Sequence, residues 1–211
     1  MNKMKIILLF LFLSAAMAKA QQPVTDAGRI SSIRKGVEEA AARTATIIAS
    51  FTQDKEMSIL DEKLSSSGNF YFKKEKMLRW EYTRPYSYII VINNDRITIR
   101  DDSKTSQFDT RNKVFSEVNR IIVGSIRGTL LNDEANFRSS FAESTSSWVV
   151  KLVPLTEGLK GTLSAITLWF DKKDFSVGKL EMTEVTGDRT VITFTEKRFN
   201  ESIADEKFSV K

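Results

Sequence analysis

Cysteine and histidine are both missing from this sequence. Without cysteine there is no disulfide framework, and no thiol near an export signal to carry a lipid anchor. Without histidine, imidazole-based triads, histidine-ligated zinc and the usual general base near neutral pH all fall away. Catalysis would rest on carboxylates, lysine or tyrosine, and no nucleophile elbow is present, so no catalytic residue and no cofactor are nominated. The acidic pairs Asp101-Asp102 and Asp171/Asp174 lack the ordered ligand spacing of a calcium loop and read as solvated strand ends, so no metal site is expected. Proline occurs only at Pro23, Pro85 and Pro154, with no Ser/Gly-rich linker and no internal repeat. The chain after its first segment therefore reads as one domain, residues 21–211.

That first segment, residues 1–20, begins Met-Asn-Lys-Met-Lys, continues as an apolar run from Ile6 to Met17 and ends Ala18-Lys19-Ala20. A basic start, an apolar stretch well short of the ~20 residues a bilayer needs and an A-x-A box describe a cleavable export signal, and predict a soluble exported product. The segment holds Lys3, Lys5 and Lys19 and no acid, so the remainder carries 29 basic and 27 acidic residues, a net charge of +2. This is too little to suggest a nucleic-acid partner. The basic cluster Lys73, Lys74, Lys76, Arg79 and Arg84 does interleave with Trp80 and Tyr82. Strand alternation, however, sends Arg79 and the aromatics to opposite faces, which is wrong for a stacking platform.

From Asp26 to Ser50, Ile30, Ile33, Val37, Ala40, Ala41, Ile47 and Ile48 recur at three- and four-residue spacing and predict an amphipathic helix. Arg34/Glu38, Lys35/Glu39 and Glu39/Arg43 are placed to pair along its polar face, and Gly36 costs it roughly 1 kcal/mol relative to alanine. After Phe51 short β-branched and aromatic runs take over. Strands are expected near Ser50–Met57, Leu64–Lys73, Met77–Thr83, Tyr88–Asn93, Arg96–Asp101, Thr105–Asp109 and Lys113–Phe115. A second group follows near Asn136–Glu143, Trp148–Pro154, Ala165–Asp171, Val177–Val185 and Arg189–Lys197. Hairpin-length links such as Asn93-Asn94-Asp95 and Thr186-Gly187-Asp188 make the strands antiparallel. Between the groups, Val118–Leu131 presents Val118, Ile121, Ile122, Ser125, Ile126 and Leu130 on one helical face, and a helical turn is expected near Leu155–Leu159.

Alternation places Phe70 and Phe72 on one face of their strand, and Leu78, Trp80 and Tyr82 on one face of the next, with Ile90 and Ile92 extending the surface. Such a face is either an ordinary core under a helix or one wall of a concave apolar ligand site. Periodicity does not separate the two.

The order of elements is more specific. A helix is followed by Phe51-Thr52-Gln53, then Gly68-Asn69-Phe70-Tyr71-Phe72, then Leu78-Arg79-Trp80-Glu81-Tyr82 with Pro85 beyond. This series resembles the periplasmic outer-membrane lipoprotein carrier family, LolA, clearly over Ile30–Asp101 and more generally to Phe208-Ser209-Val210. The resemblance implies an α+β fold, mainly β. A single curved antiparallel sheet would form an unclosed half-barrel, its concave face covered by the first helix and one or two central helices. Acyl chains would lie between, against Leu78, Trp80 and Ile90 by motif position. Adding the apolar faces gives the other expected cavity residues: Ile33, Val37 and Ile47 from the helix, Phe70, Phe72, Tyr82 and Ile92 from the strands, Ile122 and Ile126 from the central segment. In the family an arginine followed by proline latches the helical lid; Lys74 followed by Glu75 stands here, a point charge without the planar fork. The implied partners are an acylated lipoprotein or lipid cargo, an inner-membrane lipoprotein-releasing ABC transporter as donor and an outer-membrane acceptor, served by a monomer. The same half-barrel could instead act as a lipid or lipoprotein sensor working through a protein partner.

Overall fold

A computed structural model describes residues 21–210 apart from 60–61, 75, 95, 102–103 and 110–112, with backbone alone for 113–119. The expected export signal lies outside these residues. Twelve antiparallel strands form one sheet whose two rims, β1 (Gln22–Val24) and β7 (Thr105–Asp109), are not joined. The first strand group supplies β2 (Thr46–Met57), β3 (Glu62–Lys73), β4 (Met77–Arg84), β5 (Tyr88–Asn93), β6 (Arg96–Arg100) and β7 (Thr105–Asp109). The second supplies β8 (Phe137–Glu143), β9 (Ser147–Pro154), β10 (Leu163–Asp171), β11 (Val177–Glu184) and β12 (Arg189–Phe199). Each group is a meander, and the last strand of the second pairs with the first strand of the first. The three-residue strand β1 (Gln22–Val24) adds to β8 at one rim. It is too short to show any period in the sequence.

Helix α1 (Ala27–Arg43) crosses the concave face, its start capped by Asp26, which accepts a hydrogen bond from the Arg29 backbone N–H at 2.7 Å. It ends earlier than the apolar spacing suggests. Thr44 has extended backbone angles, and Ile47 and Ile48 belong to strand β2 rather than to the helix. Two β-branched residues continued the helical count by coincidence, while the sheet offered hydrogen bonds to the whole segment. Similarly, Lys113–Phe115 opens helix α2 (Lys113–Arg127) instead of forming a strand. A 3-10 turn at Thr129–Asn132 follows α2, and a single helical turn, α3 (Glu157–Lys160), connects β9 to β10.

The main apolar cluster fills the space between sheet and helices. Val150, Leu152, Ile166, Leu168 and Phe170 are wholly buried, and Ile33 and Val37 from α1 join them. A second cluster lies on the outer face, where Ile89 and Val91 of β5 meet Ile203 and Phe208 of the C-terminal segment. Arg79 ties that segment down: its guanidinium donates to Glu81 at 3.0 Å and to the carbonyls of Lys207 and Ser209 at 3.3 Å each. The Arg79 guanidinium holds the Glu81 carboxyl below its ordinary value, with Lys207 assisting.

Candidate ligand cavity

The aromatic motif residues meet on the concave face. Phe51, Gly68 and Tyr82 stand in register across β2, β3 and β4. Gly68 leaves its place between the two rings empty, so Phe51 and Tyr82 approach edge to face with centroids 5.0 Å apart. A Cβ at Gly68 would also lie 1.9 Å from the Glu81 carbonyl oxygen, so the close approach of β4 demands glycine here. Tyr82 donates from its hydroxyl to Gln53 Oε1 at 2.9 Å, which links the F-x-Q and W-x-Y elements directly. Burial pushes the Tyr82 hydroxyl up to about 12, with Tyr88 nearby adding to the effect, so it stays a donor. Trp80 lies 4.8 Å from Phe51 and 4.9 Å from Phe70 by ring centroid. Its indole N–H is buried without a partner in hydrogen-bonding geometry among the described residues.

Helix α1 is clamped over this surface by side chains the polar-face reading misassigns. Arg34 does not pair with Glu38. It turns inward instead, donates to the carbonyl of Leu131, to Asn132 Oδ1 at 2.8 Å and to Ser139 Oγ at 3.0 Å, and lies over the Phe141 ring. Glu38 accepts from Asn132 Nδ2. The i,i+4 neighbours of Glu39 do stand as expected, with Lys35 at 3.8 Å and Arg43 at 3.9 Å. Arg29 reaches Glu143 at 2.9 Å, and Lys172 reaches the same carboxylate at 2.9 Å, so their hydrogen bonds hold the Glu143 carboxyl below its ordinary value. Gly36, a cost to the isolated helix, has its reason in the Phe175 ring, 2.5 Å from where a Cβ would sit. Near the other end Lys74 Nζ donates to the Ala42 carbonyl at 3.2 Å, across from the last turn of α1.

The interior is unevenly filled. Under the last turn of α1 lies a cavity of about 330 Å³, bounded by Ala40, Ala41, Ile47, Ala49, Phe70, Ile126, Phe175 and Phe194 and reaching exposed Arg43, Lys173 and Asn200 at its mouth. A second apolar hollow of about 120 Å³ sits between α2 and the sheet, against Leu78, Trp80, Tyr82, Ile90, Ile92 and Ile122. Phe72, Lys74 and Ile126 border a crevice of about 20 Å³. Of the twelve residues expected to line one acyl cavity, Ile47, Phe70 and Ile126 face the large space, six face the second hollow and Phe72 the crevice. Ile33 and Val37 are packed into the solid cluster, away from these spaces.

The sequence reading missed the walls contributed by Phe175, Phe194 and the alanines. A signal for the latter was present: along the inward stripe of α1 the side chains shrink from Ile33 and Val37 to Ala40 and Ala41, which leaves volume unfilled beneath the helix end.

The sequence profile of the family described as outer membrane lipoprotein carrier protein LolA matches residues 42–211. The chain belongs to the LolA family. Among its relatives, an outer-membrane lipoprotein carrier protein of Halorhodospira halophila is 24% identical over 204 residues, covering 96% of this chain and 86% of that one. The Xanthomonas oryzae protein of the same name is 25% identical over 146 residues, 69% of this chain and 68% of its own. The fold is also that of the Pseudomonas aeruginosa MucA/MucB complex (TM-score 0.51, 11% identity, covering 87% of this chain and 61% of that one). An uncharacterized conserved protein of Thermus thermophilus has it too (TM-score 0.50, 12% identity, covering 85% and 92%). LolA family membership agrees with the unclosed sheet, and among the described residues no helix is long and apolar enough to cross a membrane. Among the same residues no group of acidic side chains gathers to hold a metal; Asp171 and Asp174 accept from backbone N–H groups of their own turn.

Proposed function

We propose that this protein is a periplasmic carrier that shelters the acyl chains of a lipoprotein or lipid and ferries them between membranes, without chemistry of its own. The observation that carries the reading is the cavity of about 330 Å³ walled by alanine, isoleucine and phenylalanine, a volume within the ~300–1,000 Å³ usual for ligand sites. Each methylene moved from water into it gains about 0.8 kcal/mol, so burial of hydrocarbon supplies the main hold on an acyl chain. The hollow against Trp80 and Leu78 lies on the same concave face, and a shift of α2 would join it to the larger one. In this reading Lys74 acts as a latch on α1 through its bond to Ala42, and release follows when that contact opens. The names borne by its relatives supply the cargo class, and the expected export signal supplies the compartment. A lipoprotein-releasing ABC transporter would be the donor and an outer-membrane protein the acceptor.

The test is native mass spectrometry of the protein recovered from the periplasm of its own cells. Co-purifying acylated material, displaced by added fatty acid, is the expected result; repeated recovery of the bare chain would overturn the proposal. The MucA/MucB complex shows the fold beside a protein partner, and depletion tells a sensor from a carrier. Loss of a carrier strands lipoproteins at the inner membrane, whereas loss of a sensor changes gene expression first.

A further inference from the structure

The cavity mouth carries a lysine that the regular strand pattern would have pointed the other way. Along β12, Ile192 and Phe194 face inward, and strict alternation would turn Glu196 inward next. Instead the pairing with β2 slips between Thr195 and Arg198, and Glu196 takes a left-handed backbone, φ 51°. The bulge leaves Glu196 on the outer face, where it accepts from Ser50 Oγ at 2.8 Å. Lys197 is delivered to the inner face, half-buried beside Phe194 and Phe199 on the cavity wall. Bulges recur where a side chain has to be re-aimed, and a non-glycine residue in the left-handed region is strained.

Among the described residues the re-aimed ammonium meets a neutral partner. Its hydrogen bond goes to Ser176 Oγ, and that hydroxyl donates in turn to Asp174 Oδ1 at 2.6 Å. Asp174 is further engaged by the Ser176 backbone N–H at 2.8 Å. Arg43 and Lys173 stand exposed at the same opening, Arg43 with Glu39 at 3.9 Å on its outer side, so three cations and the single carboxylate of Asp174 line it. The end of α1 adds little negative field, because its last carbonyls are taken: Ala40 by the Thr44 hydroxyl, Ala41 by the Thr44 N–H and Ala42 by Lys74. An apolar space with a cationic rim matches a molecule with an apolar tail and an anionic head.

We propose that Lys197, with Arg43 and Lys173, forms a headgroup subsite that selects acyl ligands ending in a carboxylate or phosphate. This rests on the acyl-shelter reading and adds to it the chemical class of the head. Hydrogen bonds to a charged group are worth roughly 1.5–3 kcal/mol, so the preference for an anionic over a neutral head is at least about tenfold. The test measures binding of hexadecanoate, hexadecyl phosphate and methyl hexadecanoate to the chain from Gln21 onward. Lys197→Met and Lys197→Arg are compared, with thermal melts confirming that both fold. The expected result is an anion-over-ester ratio of about tenfold, lowered to within about twofold by Lys197→Met, retained by Lys197→Arg and shrinking as salt is raised toward ~1 M. The carboxylate and phosphate arms show which head fits better. Equal binding of ester and anions, or a ratio untouched by Lys197→Met, would overturn the subsite and leave the shelter standing. Failure of all three ligands to bind would remove both.

Discussion

The two ends of helix α1 rest on very different ground. Its first turns lie over a solid interior, where Phe170, Leu168 and Ile166 are wholly buried and Ile33 and Val37 fill the remaining space. Its last turn, with Ala40 and Ala41 facing in, spans the cavity of about 330 Å³. The solid end is also the better tied, through Arg29 to Glu143, a carboxylate that Lys172 also holds, and through Arg34 to the Leu131 carbonyl and Ser139. The hollow end has Lys74 on Ala42. One helix thus combines a firmly tied end with a lightly tied one, and side-chain volume along a single stripe decides which lies over open space.

The contrast is open to direct attack. Phe170→Ala at the solid end should cost about 3–5 kcal/mol in urea unfolding, since nothing nearby can collapse into the space. Arg34→Ala should cost about 1.5–3 kcal/mol by leaving the Leu131 carbonyl without its charged donor, and hydrogen exchange should rise along the whole of α1. Ala41→Leu, by contrast, places methyl groups into existing space, so stability should shift by less than about 1 kcal/mol while uptake of a fluorescent fatty acid is lost. Destabilisation as large as that of Phe170→Ala would mean the hollow end is as solid as the other. Lys74→Ala removes one exposed hydrogen bond, worth roughly 0.5–1.5 kcal/mol, and should speed fatty-acid release in stopped flow with little change in the melt. The smallest effect is that of acid. The Glu143 carboxyl lies below its ordinary value of 4.5 in the folded chain, so its contribution is complete above that pH and fades as the pH falls through and beneath it. Exchange at the first turn of α1 should therefore rise below about pH 4.5 before exchange at the last turn does.

Much of this architecture was legible because β-meanders write themselves locally. Alternation in Phe70-Tyr71-Phe72 and Leu78-Arg79-Trp80 assigned faces correctly, with Phe70, Phe72, Leu78 and Trp80 in the inner cluster and Tyr71 in the outer one. What stayed hidden is whatever depends on partners far along the chain. The β12–β2 pairing that fuses the two meanders has no local signature, and neither does the inward turn of Arg34 toward residues about a hundred positions away. Arg79 was legible as outward-facing, yet not as the anchor of a C-terminal segment. At Ile47 a helical spacing simply ran on into a strand, and at Lys197 a bulge with no signature in the sequence resets the period of two. Cavity volume was illegible in principle, since it is the difference between two large packed volumes. The fall from Ile33 and Val37 to Ala40 and Ala41 was its one local trace.

The separation of β1 from β7 has a consequence for what can be carried. A closed barrel has its girth fixed by strand number and shear, because every change of diameter must break hydrogen bonds around the ring. A ribbon with two free margins bears no such constraint: it can curl or relax a few degrees per strand while each ladder stays intact. In the carrier reading proposed above, guests of different length and branching would be accommodated by bending the wall instead of repacking it.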